Sequence, residues 1–480
     1  MLFNSLSFAI FLPVVFAIYW ILPHKFRWIL LLAASYWFYM SWHPEYIVLI
    51  LFTTVVSYAA GIAMEKQSSA GRKKLILALA CVASLGVLFF FKYFNFVSRS
   101  LARVLSCFGM PVDPIVLKFL LPVGISFYTF QTLSYVIDVY RGTVPAEHHF
   151  GRYATFVSFF PQLVAGPIER TNNLLPQIKE EHVFDYKGAS HGLKLMAWGF
   201  FKKIVIADTV SRYTGSVFDN PQSYQGFALV LATLLFTLQI YCDFSGYSEI
   251  AKGSAELMGI RLMTNFKSPY FSASIREFWS RWHISLSTWF RDYVYIPLGG
   301  NRVGKPRKAF NLLLTFLVSG LWHGANWTFV VWGGIHGIAQ ILEDLFFPGK
   351  KGKEAKGIVR AIRVLVVFAF CSFAWIFFAS DSIGDAFYVI GHAFDGIAAP
   401  IPYLRSGFTT LGVEKRSLFF FTISLGMLLL FDLRSMKTDV ILAISKKKTF
   451  VRWTIYILFL LWMILNVPTT KTQEFIYFQF

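Results

Sequence analysis

Three of the ten histidines lie where an imidazole could do chemistry. His283, His323 and His336 are each next to a tryptophan or a glycine inside apolar sequence, whereas the other seven fall in predicted loops or at span ends. An imidazole in a low-dielectric site resists protonation and can accept a proton from a hydroxyl group near neutral pH. These three residues are therefore the candidates for acid–base chemistry.

His323 is the strongest candidate because of its depth in an apolar segment. If a helix begins near Ala309, about fourteen residues carry it roughly 21 Å, which is past the middle of a bilayer. An ionisable side chain at that depth is costly, and this indicates a function. The alternative is a buried histidine bonded to a backbone carbonyl. Gly324 would let a ligand or another backbone approach closely.

The other two histidines have weaker support. His283 is predicted to lie on an amphipathic helix, where Arg276 and Trp279 at one-turn spacings would share its face towards a cavity. From there it could orient His323. The alternative is an interfacial histidine among aromatic residues. His336, between glycines, is interpreted as structural.

Other reactive side chains do not suggest a metal or nucleotide site. Cys81, Cys107, Cys242 and Cys371 lie far apart, and the histidines lack the tight spacing of metal ligands. Ser245 lacks the preceding glycine of a nucleophile elbow and is interpreted as part of a helix-end turn. We expect no metal. The net charge of +19 fits loops that face anionic lipid better than it fits nucleic-acid binding.

The segments that must position these histidines are apolar. Of the 480 residues 56% are hydrophobic and only 15% are charged, a composition too apolar for a soluble domain. The sequence therefore predicts an all-α polytopic membrane protein with one domain, residues 1–480. About twelve stretches approach the roughly 20 residues that cross a bilayer: residues 5–22, 27–42, 46–64, 75–91, 115–137, 190–208, 225–246, 309–325, 328–346, 359–379, 417–431 and 450–468.

Two further apolar segments are not predicted to cross. Residues 154–168 contain Pro161, Gly166 and Pro167, which favours a re-entrant or cavity-lining segment. Residues 272–295 mix charged residues with tryptophans, a pattern typical of an interfacial amphipathic helix.

Basic clusters orient the chain in the membrane. The positive-inside tendency places them in the cytoplasm and both termini on the far side. The clusters are residues 23–27, 65–74, 301–308, 348–363 and 434–449.

Three motifs together resemble the membrane-bound O-acyltransferase family. They are Phe278 to Tyr293, Leu298 to Arg302 and Gly320 to Asn326. The likeness is greatest to the branch that acetylates alginate, peptidoglycan and cellulose. Supporting matches lie at residues 121–128, 135–142, 165–167 and 241–248.

The resemblance implies about 11–13 tilted helices around a central tunnel, in which a cytoplasmic thioester meets an acceptor from the other face. It implies that His323 is the catalytic histidine and that His283 is the second polar residue of the active site. Substrate binding is expected of Arg276, Trp279, Trp282, Trp322 and Asn326.

The tail, residues 469–480, carries a second resemblance. Residues 474–480 are similar to the end of the small peptide of the teichoic acid D-alanylation system, whose tyrosine is proposed to carry the acyl group. Tyr477 is the corresponding residue here. The stretch from Val467 to Tyr477 can reach roughly 33 Å, enough to enter a tunnel, and His323 could take the phenol proton. The alternative is an aromatic anchor at the interface.

The predicted function is O-acetyl transfer across a bacterial cytoplasmic membrane, from acetyl-CoA to a cell-envelope or secreted polysaccharide. Expected partners are an extracytoplasmic SGNH-type acetyltransferase, the polysaccharide and membrane lipids, and no nucleic acid. One alternative is D-alanyl transfer to teichoic acid, against which the fused tail argues. Another is a polysaccharide or small-molecule transporter, which would also place polar residues in a tunnel but commonly has two related halves.

Overall fold

The structure is a computed structural model that describes residues 1–164, 166–347, 356–467 and 475–478. Three predicted features lie partly outside the described residues: the motif at 165–167 loses Ala165, the basic cluster at 348–363 loses residues 348–355, and the tail retains only residues 475–478. All regular elements in the described ranges are helices. Their contacts divide the chain into two compact units. The single domain, residues 1–480, stays a prediction.

The first unit comprises residues 1–193 and 250–263. Within it, α3 packs against α4, α6 and α7, and α2 packs against α7. Its helices are α1 (Leu6–Ile21), α2 (His24–Met40), α3 (Ile47–Glu65), α4 (Ala70–Leu88), α5 (Phe94–Cys107), α6 (Ile125–Arg141), α7 (Phe150–Ser158), α8 (Phe160–Leu163) and α9 (Thr171–Lys179). A 3-10 turn at Pro44–Tyr46 precedes α3, and a π-helical turn at Phe89–Tyr93 joins α4 to α5.

The interruption predicted within residues 154–168 is confirmed. A break at Phe159 separates α7 from α8. The carbonyl of Phe156, near the end of α7, accepts hydrogen bonds from the side-chain amides of Gln131 at 2.7 Å and Gln162 at 2.9 Å. Protein groups thus satisfy the backbone where the helix stops, as a segment sheltered from water requires.

The span predicted at residues 115–137 is wrong in its first part, because α6 begins only after Gly124. Pro122 has no N–H to donate, and Gly124 adopts a left-handed conformation with φ of +75°, so the helix does not extend backwards. The preceding segment is held by a side chain instead. Asn95 makes two hydrogen bonds of 2.8 Å with the backbone of Leu117.

The second unit comprises residues 194–249 and 264–480. Two helices, α10 (Tyr186–Phe200) and α12 (Phe227–Glu256), contain residues of both units. The helices of the second unit alone are α11 (Asp208–Phe218), α13 (Ile275–Arg281), α14 (Ile284–Phe290), α15 (Lys305–His323), α16 (Trp327–Phe346), α17 (Gly357–Ala379), α18 (Ile383–His392), α19 (Pro400–Thr410), α20 (Lys415–Ser435), α21 (Val440–Ser445) and α22 (Thr449–Leu465). Short helical turns lie at Phe201–Ala207, Pro221–Ser223, Pro269–Phe271, Arg291–Tyr295 and Ile476–Phe478.

Among the described residues, five helical stretches are long and apolar enough to cross a membrane. They are Pro44–Glu65, Ala70–Cys107, Phe227–Glu256, Gly357–Ala379 and Lys415–Ser435. Leu6–Ile21 and Thr449–Leu465 are shorter apolar helices. None of the residues of α22 is buried in the protein, so its apolar side chains require a lipid environment. The chain is a multi-pass membrane protein, and the remaining predicted spans coincide with shorter, interrupted or more polar helices.

Helices α15 and α16 form a hairpin whose backbones touch. A Cβ on Gly320 would lie 2.2 Å from the carbonyl oxygen of Phe329, and one on Gly333 would lie 2.3 Å from that of Phe316. Only glycine permits this approach, which is a familiar device of helix packing in membranes. Because His323 is the last residue of α15, the contact fixes the point from which its ring projects.

We expect Gly333→Ala to lower the thermal unfolding temperature, because the added methyl group collides with the backbone of α15 and separates the helices. Gly334→Ala is the matched control: its methyl group would meet only the side chain of Leu317, at 3.5 Å, and alanine is favoured over glycine in a helix by about 1 kcal/mol. Tryptophan fluorescence of both variants in one detergent measures the difference. Equal unfolding temperatures would contradict the close helix contact.

Candidate active site

His323 projects from the end of α15 into an aromatic enclosure. Its ring centroid lies 5.1 Å from that of Trp322, 5.0 Å from that of Trp332 and 5.6 Å from that of Phe378. The residue is only 2% exposed. In a neutral imidazole one ring nitrogen is an acceptor, and this is the form that can take a proton.

The single helix predicted at residues 272–295 is wrong, because the chain breaks between α13 and α14 at His283. His283 has φ of +42° and ψ of 53°, a left-handed conformation that is unusual for a side chain with a Cβ. The predicted face shared with Arg276 and Trp279 therefore does not form, since these two residues belong to α13 and His283 does not.

Asn265 causes the break. Its backbone carbonyl accepts a hydrogen bond from the Ile284 amide at 3.0 Å, and its side-chain oxygen accepts from the amide and the hydroxyl of Ser285 at 3.3 and 2.6 Å. Asn265 thereby satisfies the first N–H groups of α14. A left-handed residue costs about 1–3 kcal/mol and persists only when its surroundings enforce it, which is common at functional sites.

His283 is completely buried by this arrangement. It lies outside the candidate membrane-spanning helices, and burial lowers the pKa of its imidazole to about 3. Its ring is therefore neutral at physiological pH and has one N–H donor and one acceptor nitrogen.

Three side chains singled out in the sequence meet in the second unit. The ring centroids of His283 and His323 are 6.2 Å apart, and the ring of Tyr477 lies 5.6 Å from His323 and 6.4 Å from His283. Phe244 lies 4.6 Å from both His283 and Tyr477. The hydroxyl oxygen of Tyr477 is buried although the residue as a whole is partly exposed.

The C-terminal segment that carries Tyr477 is docked on α12. The Ile476 amide donates a hydrogen bond of 2.8 Å to the carboxylate of Asp243. Phe475 is fully buried, and its ring lies 4.5 Å from Tyr247 and 5.6 Å from Phe244. One polar and several aromatic contacts thus seat the short helical turn that contains Tyr477.

A buried ion-pair cluster beside this segment was not predicted. The Lys203 ammonium lies 2.8 Å from the carboxylates of both Asp208 and Asp243. A signal was present in the sequence, because Lys202 and Lys203 interrupt the apolar stretch 190–208, and ionisable residues at such positions indicate a function.

The interpretation of Ser245 as part of a helix-end turn is wrong. Helix α12 continues without a break from Phe227 to Glu256, so Ser245 lies in its interior. The Ser245 hydroxyl accepts a hydrogen bond of 3.3 Å from the Lys202 ammonium. The motif around Ser245 therefore contributes a helix face and not a loop.

Of the tryptophans expected to bind substrate, one lies beside the two catalytic candidates and the other two pack near Phe278 and His336. Trp322 borders both catalytic candidates, and its ring is 6.1 Å from that of His283. Trp279 donates a hydrogen bond of 3.3 Å to His336. Trp282 is buried and stacks on Phe278 at 5.5 Å. Their role in substrate binding stays a prediction.

The two polar residues of that set have partners of their own. Arg276 forms an ion pair with Asp344, which also binds Lys308 at 2.6 Å. Asn326 caps the start of α16 and donates a hydrogen bond of 2.7 Å to the carbonyl of Asp381. A role in substrate binding stays a prediction for both.

The arrangement is suited to base-assisted group transfer. A neutral imidazole beside a phenol can take the phenol proton while the oxygen attacks an electrophile, and a second neutral imidazole can align the reacting group. No group of three or more His, Cys, Asp and Glu residues in the described ranges could hold a metal ion.

Comparisons with known proteins define the class. The model of the membrane-bound O-acyltransferase family (MBOAT) matches residues 144–380. The probable alginate O-acetylase AlgI of Pseudomonas aeruginosa is 42% identical over 391 residues, 80% of this chain and 73% of that protein. The peptidoglycan O-acetyltransferase of Helicobacter pylori is 34% identical over 422 residues, 81% of this chain and 79% of that protein. The teichoic acid D-alanyltransferase of Streptococcus thermophilus is 32% identical over 241 residues, 48% of this chain and 58% of that protein.

The chain belongs to the membrane-bound O-acyltransferase family. It is an acyltransferase, and this argues against the transporter alternative. Asp243, His283 and His323 lie inside the matched residues 144–380, whereas Tyr477 lies beyond them.

We expect Asn265→Ala to destabilise the site, because the buried amide and hydroxyl of Ser285 lose their acceptor at a cost of about 1–3 kcal/mol. Ser285→Ala is the control, since it removes one hydroxyl and keeps the acceptor for the backbone. Thermal unfolding should occur several degrees lower in Asn265→Ala than in Ser285→Ala. The same unfolding temperature in both variants would show that Asn265 does not hold the His283 turn.

Proposed function

We propose that this enzyme transfers an acetyl group from acetyl-CoA to Tyr477, and that an extracytoplasmic partner passes it on to a polysaccharide hydroxyl. The observation that carries the proposal is the contact of the Tyr477 ring with the rings of His283 and His323. The names of two relatives, an alginate O-acetylase and a peptidoglycan O-acetyltransferase, support acetyl as the group and a polysaccharide as the acceptor.

In the first transfer His323 acts as the general base. The Tyr477 oxygen attacks the thioester carbonyl carbon while His323 takes the phenol proton. A C–O bond forms, the C–S bond breaks, and the departing thiolate receives the proton from His323. The products are an acetylated Tyr477 and free CoA thiol, so atoms and charges balance.

A phenol suits the carrier role energetically. The ordinary pKa of a phenol is about 10 and that of a thiol is about 8.5. A phenyl ester is therefore an activated ester with a leaving group similar to that of a thioester. Transfer from the thioester to Tyr477 costs little, and the later transfer to an alkyl hydroxyl is downhill because an alkoxide is a far poorer leaving group.

We assign to His283 the role of aligning the reacting group. Its neutral ring has one N–H that can donate to the thioester carbonyl oxygen as negative charge develops there. The turn held by Asn265 fixes the backbone from which this ring projects, so little movement of the backbone is needed during the reaction. Removal of one such donor typically costs 10²–10³-fold in rate.

The donor is proposed to bind from the cytoplasmic side. Arg302, Lys305 and Arg307 are exposed at the start of α15. They belong to a cluster that the positive-inside tendency places in the cytoplasm. Their charges would bind the phosphates of CoA.

The second transfer is assigned to a separate protein, because the acceptor polymer lies beyond the membrane. An SGNH-type acetyltransferase would attack the Tyr477 ester through a serine, release the phenol and pass the acetyl group to the sugar hydroxyl. We assign the enzyme to the cytoplasmic membrane of a bacterium, with the C-terminal segment on the outer side.

We expect purified enzyme to release one equivalent of CoA thiol per chain in a rapid burst when it is mixed with acetyl-CoA. Tyr477→Phe keeps the ring and removes the nucleophile, so the burst should disappear. His323→Ala should slow the burst by about 10²–10⁴-fold, the usual worth of a general base. A thiol reagent in a stopped-flow experiment measures the burst. An unchanged thermal unfolding temperature shows that each variant is folded.

An unchanged burst in Tyr477→Phe would remove the tail from the mechanism. Absence of any burst in the unaltered enzyme would reject acetyl-CoA as the donor. A burst seen only with a D-alanyl carrier protein would favour the D-alanyl alternative.

A further inference from the structure

Asp243 links the C-terminal segment to the buried ion-pair cluster. One of its carboxylate oxygens accepts the Ile476 amide at 2.8 Å, and the other lies 2.8 Å from the Lys203 ammonium. Lys203 is shared with Asp208, also at 2.8 Å. The side chains of all three cluster residues are at most 6% exposed. A carboxylate held in this way accepts an amide N–H in a strong, charge-assisted hydrogen bond.

The same lysine also contacts Tyr247, the aromatic side chain on which the segment packs. The Lys203 ammonium lies 5.5 Å from the ring of Tyr247, on which Phe475 packs. Phe475 in turn stacks on Tyr477 with ring centroids 5.4 Å apart. The cluster therefore binds the backbone of the docked segment directly through Asp243, and it reaches the Phe475 side chain only through Tyr247.

We infer that Lys203, Asp243 and Tyr247 form a docking site for the C-terminal segment, called here the tail dock, and that the Asp243 hydrogen bond to Ile476 sets the depth of Tyr477. A slip of one residue along a 3-10 turn moves the chain by about 2.0 Å. Such a slip would break the hydrogen bond and withdraw the phenol from His323. Asp243 is thus a positioning residue that acts through Tyr477. Its effect on acyl transfer rests on the proposed function, whereas the docking itself does not.

The tail dock is also suited to release. One hydrogen bond, the buried side chains of Phe475 and Ile476, and the contact of the Tyr477 ring with Phe244 hold the segment. In the proposed function a partner enzyme must reach the acetylated Tyr477. The cluster remains paired when the segment leaves, because Lys203 keeps Asp208 and Asp243 as partners. The dock can therefore hold the segment during loading and free it afterwards.

Hydroxyl-radical footprinting of the full-length enzyme without donor tests the docking. Oxidation of Phe475, which is fully buried when docked, reports the undocked fraction. Asp243→Asn should raise that oxidation by about tenfold or more, the equilibrium change expected for loss of a charge-assisted hydrogen bond. Asp208→Asn is the matched control, because Asp208 binds the same lysine and does not bind Ile476, and it should leave the oxidation unchanged.

A second pair of variants changes only the segment. Ile476→Pro removes the amide donor at the first residue of a helical turn, where proline is tolerated. Ile476→Val keeps the donor and a branched apolar side chain. Proline should raise Phe475 oxidation as Asp243→Asn does, and valine should not. This pair keeps the test available if Asp243→Asn does not fold.

Three results would overturn the tail dock: strong Phe475 oxidation in the unaltered chain, equal increases in Asp208→Asn and Asp243→Asn, or no increase in Ile476→Pro. The thiol burst separates this proposal from the proposed function. Footprints as expected without any burst would leave the dock standing and reject acyl transfer to Tyr477. A Tyr477-dependent burst that is equally fast in Ile476→Pro and Ile476→Val would retain the transfer and reject the positioning role.

Discussion

The backbone contact between α15 and α16 determines where the proposed base lies. Gly320 and Gly333 bring the two helices so close that a Cβ on either residue would collide with a carbonyl oxygen of the other helix. His323 ends α15 beside this contact, and Trp332, the neighbour of Gly333, forms one wall around its ring. Base and wall are therefore positioned by rigid helices, which hold a reacting group more accurately than loops do.

The rings of His283 and Tyr477 are held near His323 by different interactions. His283 is held in a left-handed turn by hydrogen bonds to Asn265, so its position depends on local strain that the surrounding structure enforces. Tyr477 lies on a short segment that α12 holds through a hydrogen bond to Asp243 and through ring contacts with Phe244 and Tyr247. Two parts of the site thus belong to the helical framework, and the part proposed to carry the acetyl group lies on the docked C-terminal segment. This division suits the proposed reaction, in which a group is loaded inside the protein and passed to a partner outside.

Local sequence signals predicted a large part of this arrangement. The break near Phe159 followed from prolines and glycine in an apolar stretch. The choice of His323 as a candidate followed from its place in an apolar segment, and its catalytic role stays a prediction. The turn at His283 could not be predicted in this way. Amphipathic spacing indicated one helix, but the hydrogen bonds that break it come from Asn265, eighteen residues earlier in the chain. The role of Asp243 likewise depends on a partner far away in sequence, Ile476.

The most direct test of the account is peptide mass spectrometry of the purified full-length enzyme after brief incubation with acetyl-CoA. We expect one acetyl group on the C-terminal peptide, located at Tyr477, labile to hydroxylamine as a phenyl ester should be, and absent in His323→Ala. Acetyl-CoA consumption by the enzyme with an unmodified C-terminal peptide, or an acetyl group found on a different residue, would contradict it.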